Sequence, residues 1–240
     1  MAIGPERKYM TAAQASVADI DVGLRQYMLK VYDYMAGGLV LTGLVAFAVA
    51  QSPALIHAIY GTPLGLILAI GSVILVGVFS ARITTMSVGS AQFSFWGYAV
   101  LLGVLLSSIF VAYTSASIAQ AFFVTAGTFA GMSLYGYTTK RDLSGIGSFL
   151  VMGVWGLFLA MIVNIFLHSP AVDFALSAIG VLIFTGLTAY KTQWIKEWYS
   201  ETDAADVGAK KSIYGALQLY ITFINLFMFM LRFLGVGRSN

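Results

Sequence analysis

The sequence has no cysteine, only two histidines (His57 and His168), and charge on just 10% of its 240 residues. Without cysteine there is no disulfide, no thiolate metal site and no sulfur nucleophile. Both histidines stand beside proline-containing loop sequence, which argues against a histidine-based metal cluster. No HExxH, phosphate-loop or dinucleotide fingerprint occurs, and no Ser-His-Asp, Ser-Lys or paired-carboxylate arrangement falls within an apolar run. Ser107 and Ser108 are two hydroxyls inside such a run, with no base near them in sequence, so they are expected to bond back to their own helix. These absences lead to the expectation of a non-enzyme with no cofactor and no bound metal. The first 30 residues also lack the charged start followed at once by a hydrophobic core that marks a cleaved signal peptide, so none is expected.

What the chain does have is apolar length. It is 59% hydrophobic, with a mean hydropathy of +0.86. Soluble domains average about 45–50% apolar and about a quarter charged, so this is the composition of an integral membrane protein. A net charge of +3 and a pI near 9.0 would suggest nucleic acid in a soluble chain. Here the basic residues have a simpler use as topology signals, and no nucleic-acid partner is expected. Seven apolar runs suit a hydrocarbon core of about 30 Å: residues 31–51, 62–81, 89–112, 117–138, 146–167, 171–192 and 212–235. Short connections make sequential helices antiparallel neighbours in one bundle. One long polar insertion, Thr192 to Lys211, interrupts the series. The organisation expected is therefore a polar arm, residues 1–30, followed by a seven-helix transmembrane domain, residues 31–240. Within the arm, Val17 to Tyr32 reads as an amphipathic surface helix or as a loosely ordered tail. Lysines and arginines orient the chain: Arg7, Lys8, Arg25, Lys30, Arg82, Lys140, Arg141, Lys191, Lys196, Lys210 and Lys211 fall on one side, against Arg232 and Arg238 on the other. That asymmetry predicts a cytoplasmic amino terminus.

The last run, Ser212 to Gly235, carries Gln218, Thr222 and Asn225 at helical spacing. A helix gathers these side chains into one stripe, and lipid tails offer such groups no hydrogen-bond partner. The last helix is therefore expected at the centre, surrounded by the other six. Asp33 and Asp173 lie at the starts of their spans, where the helix dipole favours a carboxylate. Arg82 and Lys191 end the second and sixth spans, within snorkelling reach of headgroups, and Arg232 reads as an interface anchor. Gly127 with Gly131, and Gly61 with Gly65, form small-xxx-small pairs that predict close helix approach. No internal duplication is visible.

Three segments carry a family likeness: GLTAYKTQWIKE (Gly186 to Glu197), GALQLYITFINLFMFMLRFLG (Gly215 to Gly235), and Leu106 to Phe149 with its SLYGYTTKRDLSG loop. Together they resemble the Bax inhibitor-1 family, in particular its bacterial branch. The resemblance covers nearly everything after Arg25. It implies a seven-helix fold with the last helix enclosed, set in the bacterial inner membrane. It also implies either a calcium leak sensitive to protons, with Ca²⁺ or H⁺ as permeant ion, or a stress-response role as partner of a membrane-bound protease. In the family, two aspartates on the sixth and seventh helices share a proton and latch the pore, with an arginine on the second helix as partner. Here the aspartate positions hold Lys191 and Thr222, while Arg82 matches the arginine. The candidate pore or latch residues are thus Arg82, Lys191, Thr222 and Asn225. With the carboxylates gone, little acid-activated Ca²⁺ leak is expected. The alternative function is a non-conducting interaction protein acting on a membrane protease or stress response.

Overall fold

A computed structural model describes residues 12–237, with side chains from residue 22 onward. The first eleven residues of the predicted polar arm lie outside the described residues. Among the described residues nine helices follow in order: α1 (Ala12–Ala50), α2 (Pro53–Tyr60), α3 (Leu64–Arg82), α4 (Val88–Leu106), α5 (Ser108–Ala112), α6 (Ser115–Thr138), α7 (Ser144–Leu167), α8 (Pro170–Glu197) and α9 (Ala205–Leu234). Seven segments are long and apolar enough to cross a bilayer, with α4 and α5 together forming one of them, Val88–Ala112. The chain is an all-α membrane protein.

The ends of these helices follow from local chemistry. Ser52, Ser87, Thr114 and Ser169 cap α2, α4, α6 and α8, each hydroxyl accepting an early N–H of its helix. α7 ends on His168, whose φ of 50° puts it in the left-handed region used at helix C-termini. Asn164 makes that end specific: its Oδ1 accepts from Ser169 N and its Nδ2 donates to Asp173 Oδ1. The break between α4 and α5 falls at Ser107, whose hydroxyl donates back to Val104 O. Tyr60, on α2, donates to the freed Leu105 carbonyl at 2.5 Å.

Two boundaries differ from the sequence expectation. α1 runs unbroken through residue 30, so the described part of the arm continues the first span. The insertion Thr192 to Lys211 is mostly helix, because α8 extends to Glu197 and α9 starts at Ala205, leaving a short link. Lys211 closes that link by bonding both Asp203 Oδ2 (2.6 Å) and Trp198 O (3.0 Å), and Asp206 pairs with Lys210 one turn along α9. Polar composition marked solvent there, but it did not mark loss of helix, since i,i+4 pairs support an exposed helix end.

α9 is the most buried span: 56% of its apolar stretch is buried, against 11–33% in the other six. It packs along α8, α1, α6 and α4, and α3 reaches it where Phe79 stacks on Tyr214. Enclosure by all six is thus uneven, because α7 packs chiefly on α8 and, with α3, forms the outer layer. These two are also the most apolar spans. In a bilayer that is the expected order, since lipid tails solvate leucine as well as protein does and polar positions seek the interior.

The glycine pairs singled out in the sequence do not mediate helix packing. A Cβ at Gly127 or Gly131 would meet nothing within 4 Å, and Gly61 and Gly65 crowd only His57 and Ile59 of the short neighbouring α2. The close approaches use isolated glycines: Gly136 lies on the Ala189 backbone, Gly147 on the Tyr190 ring, Gly180 on Phe229, and Gly103 on Thr42 O and Val45. Spacing alone does not say which face of a helix meets a partner.

Candidate functional site

The segment Ala189 to Trp194 of α8 meets a different neighbour with almost every residue. Ala189 presents its backbone to Gly136 of α6, and Tyr190 covers Gly147 of α7. Lys191 Nζ donates to Gln218 Oε1 of α9. Thr192 is fully buried and shares a hydroxyl contact with Ser133 of α6 (3.0 Å), which in turn bonds Tyr32 of α1 (2.5 Å). Gln193 clamps the α6–α7 turn, accepting from Leu143 N and donating to Arg141 O. Trp194 stacks on Trp198, and both rings meet Tyr214 of α9 edge-on. Alternating helical faces would normally send some of these side chains to lipid. Here α8 is surrounded at this level, so each finds protein.

Lys191 and Gln218 are therefore the polar bridge between the sixth and seventh spans. Tyr214 and Trp194 each stand about one turn from that pair, toward the basic end of the bundle, and with Phe79 and Trp198 they form an aromatic cover over it. One helical turn deeper on α9, Thr222 is buried and its hydroxyl donates to Gln218 O (2.8 Å). Asn225 Nδ2 donates to Ile221 O at the same distance. Both side chains thus satisfy their own helix. Ser107 does the same, as its sequence predicted.

The structure brings Lys191 onto the stripe that Gln218 begins, with Thr222 the next residue along it. Arg82 is elsewhere: it is exposed at the end of α3, one turn beyond the Phe79 that stacks on Tyr214. Gln218, which the sequence places at the head of the polar stripe but which was not among the candidate pore or latch residues Arg82, Lys191, Thr222 and Asn225, is the partner of Lys191. The aromatic cover was also missed; Trp194 and Trp198 show i,i+4 spacing, but nothing in the sequence reports that Tyr214 and Phe79 face them.

Chemically, the bridge offers an ammonium, an amide and hydroxyl groups already engaged. A Ca²⁺ ion takes six to eight oxygens, usually with carboxylates among them, and is repelled by a neighbouring cation. Five cavities among the described residues are lined by other residues than Lys191, Gln218, Thr222 and Asn225.

Known proteins resemble this chain over almost its whole length. The model of the family described as inhibitor of apoptosis-promoting Bax1 matches residues 24–239. The chain is 48% identical over 226 residues to an inner membrane protein, YbhL, of Escherichia coli K12, covering 93% of this chain and 97% of the relative. It is 45% identical over 219 residues to a protein of Rickettsia prowazekii (91% and 93% covered), and 44% identical over 246 aligned residues to one of Caulobacter vibrioides (97% and 98%). On a match that runs almost from end to end, over a bundle of seven membrane-length helices, the chain belongs to the Bax inhibitor-1 family.

Proposed function

We propose that this protein is a Bax inhibitor-1-type protein of the bacterial inner membrane, with its amino terminus in the cytoplasm. In this reading its cation path is held by a Lys191–Gln218 bridge in place of an acid latch. The observation that carries the reading is the bond from Lys191 Nζ to Gln218 Oε1 across α8 and α9. It puts an amine donor, and no carboxylate, where the family resemblance implies one of two aspartates. Two close carboxylates split their pKa values and attract a divalent ion, so protonation can switch them; a lysine amine bonded to an amide leaves no carboxylate pair to share a proton or to draw in the ion. The protein thus leaks little Ca²⁺, and the leak does not rise with acid. Arg82, exposed on α3, acts as a headgroup anchor at the mouth, and Thr222 and Asn225 line the closed segment below the bridge. The inner-membrane assignment rests on the similarity to YbhL.

The same bridge favours a second reading, in which the bundle does not conduct and the chain works by docking on a membrane-bound protease or another stress-response partner. Ca²⁺ flux from loaded liposomes, combined with crosslinking in cells, separates the two. A small leak that does not vary with pH supports the first; no flux together with a stoichiometric protease complex supports the second.

A further inference from the structure

α1 and α6 both pack on α9, yet they stand apart along most of their length, joined at the Tyr32–Ser133 hydroxyl contact. The gap between them is an apolar groove. Its first part, a cavity of about 620 Å³, runs from Arg25 to Leu39 on one wall and from Ala126 to Tyr137 on the other. Its second part, about 360 Å³, shares Leu39 and Phe223 with the first and continues to the α5 end. The floor is α9 itself, through Phe223, Ile224 and Phe227. Phe223 and Phe227 are buried and Ile224 is half-buried, so α9 closes the floor of the groove behind its more exposed walls.

The geometry points to a phospholipid as the occupant: one acyl chain lies in the groove and an acidic headgroup sits at its basic end. Three observations support that choice. The groove opens between two membrane spans, so what reaches it is lipid. Arg25 to Leu39 covers about 21 Å of helix, enough for a chain descending through one leaflet of a core about 30 Å thick. The mouth is cationic: exposed Arg25 of α1 lines it, and behind Tyr137 on the opposite wall stands Lys196, whose Nζ donates to Tyr137 O (2.9 Å) and lies 5.2 Å over that ring.

Native mass spectrometry of the full chain, purified from detergent containing equal dioleoyl phosphatidylglycerol and dioleoyl phosphatidylethanolamine, tests this. The expected result is one retained lipid with phosphatidylglycerol in excess. Arg25→Gln should cut that excess about fivefold, the factor equivalent to about 1 kcal/mol for one basic residue at an anionic headgroup. Ala36→Trp and Ala130→Trp, exposed positions on opposite walls of the groove, should each displace the lipid. Unfolding midpoints in the same detergent identify any variant that has lost its fold. Because the walls belong to different helices and Arg25→Gln leaves packing untouched, a folded variant remains to decide the matter. Lipid retention unchanged in the folded tryptophan variants, an unaltered headgroup ratio in Arg25→Gln, or occupancy by detergent or free fatty acid in place of phospholipid would each overturn the assignment.

Discussion

At the scale of single residues, the polar side chains inside this bundle divide between those that bond back to their own helix, such as Thr125, Thr188 and Thr222, and those with partners on other helices, where removing one partner has different consequences from removing the other. Thr42 on α1 and Tyr220 on α9 share a hydroxyl contact at 2.6 Å, both buried, and Thr42 Oγ1 also lies 2.9 Å from Ala99 O of α4. Since Thr42 donates to that carbonyl, Tyr220 is the donor to Thr42. Thr42→Val thus strands a buried phenol, whereas Tyr220→Phe leaves Thr42 still bonded. Interhelical hydrogen bonds in membranes average about 0.6 kcal/mol and reach about 1.7. Equilibrium unfolding in micelles should show Thr42→Val near the upper figure and Tyr220→Phe near or below the lower one; the reverse order would mean the donor assignment is wrong. Thr42 and Tyr220 are separated by 178 positions, so this pair could not be read from the sequence. Thr222 and Asn225, whose stripe led to the expectation of partners on surrounding helices, instead bond four residues back within their own helix.

At the scale of helices, the sequence was most legible where a helix must cross the whole bilayer. The seven apolar runs coincide with the seven membrane-length segments to within a few residues at most ends, and the outliers, the starts of α1 and α9 and the end of α8, are polar extensions. Apolar length does not distinguish a helix that continues into water from one that stops. Nor does it reveal packing faces, which is why Gly127 and Gly131 were marked as contacts and Gly136 was not. A Cβ at Gly136 would overlap the Ala189 backbone, which cannot move as a side chain can. Gly136→Ala is therefore expected to destabilise by about 1–3 kcal/mol, in the range of overpacking. Gly127→Ala, meeting open space, should be neutral or stabilise by up to about 1 kcal/mol through helix propensity. Micelle unfolding of the two variants side by side checks this, and equal destabilisation would contradict the packing described for α6 and α8.

For the molecule as a whole, the arrangement is a polar-striped helix at the centre, more hydrophobic helices outside, and basic residues gathered at one end. The polar stripe led to the expectation of a central α9, and α9 is the most buried span; yet of that stripe only Thr222 is buried, Gln218 and Asn225 being half-buried while the apolar faces are enclosed. The uneven shell was not predictable, because contact between particular helices depends on side-chain shape far apart in sequence. Orientation is a prediction of its own: single cysteines at Lys140 and Val236, introduced into a chain that has none, should be labelled from opposite faces, with Lys140 cytoplasmic. Labelling of both from one face would remove the seven-span topology, and a periplasmic Lys140 would invert it. The most direct measurement of the central claim, that Lys191 bonded to Gln218 replaces an acid switch, is Ca²⁺ efflux from liposomes holding the wild type and the Lys191→Asp, Thr222→Asp double variant across pH 6 to 8. The account predicts a low efflux that does not change with pH for the wild type and a proton-dependent leak for the folded double variant. A strongly pH-dependent leak through the wild type, or none through the folded double variant, would contradict it.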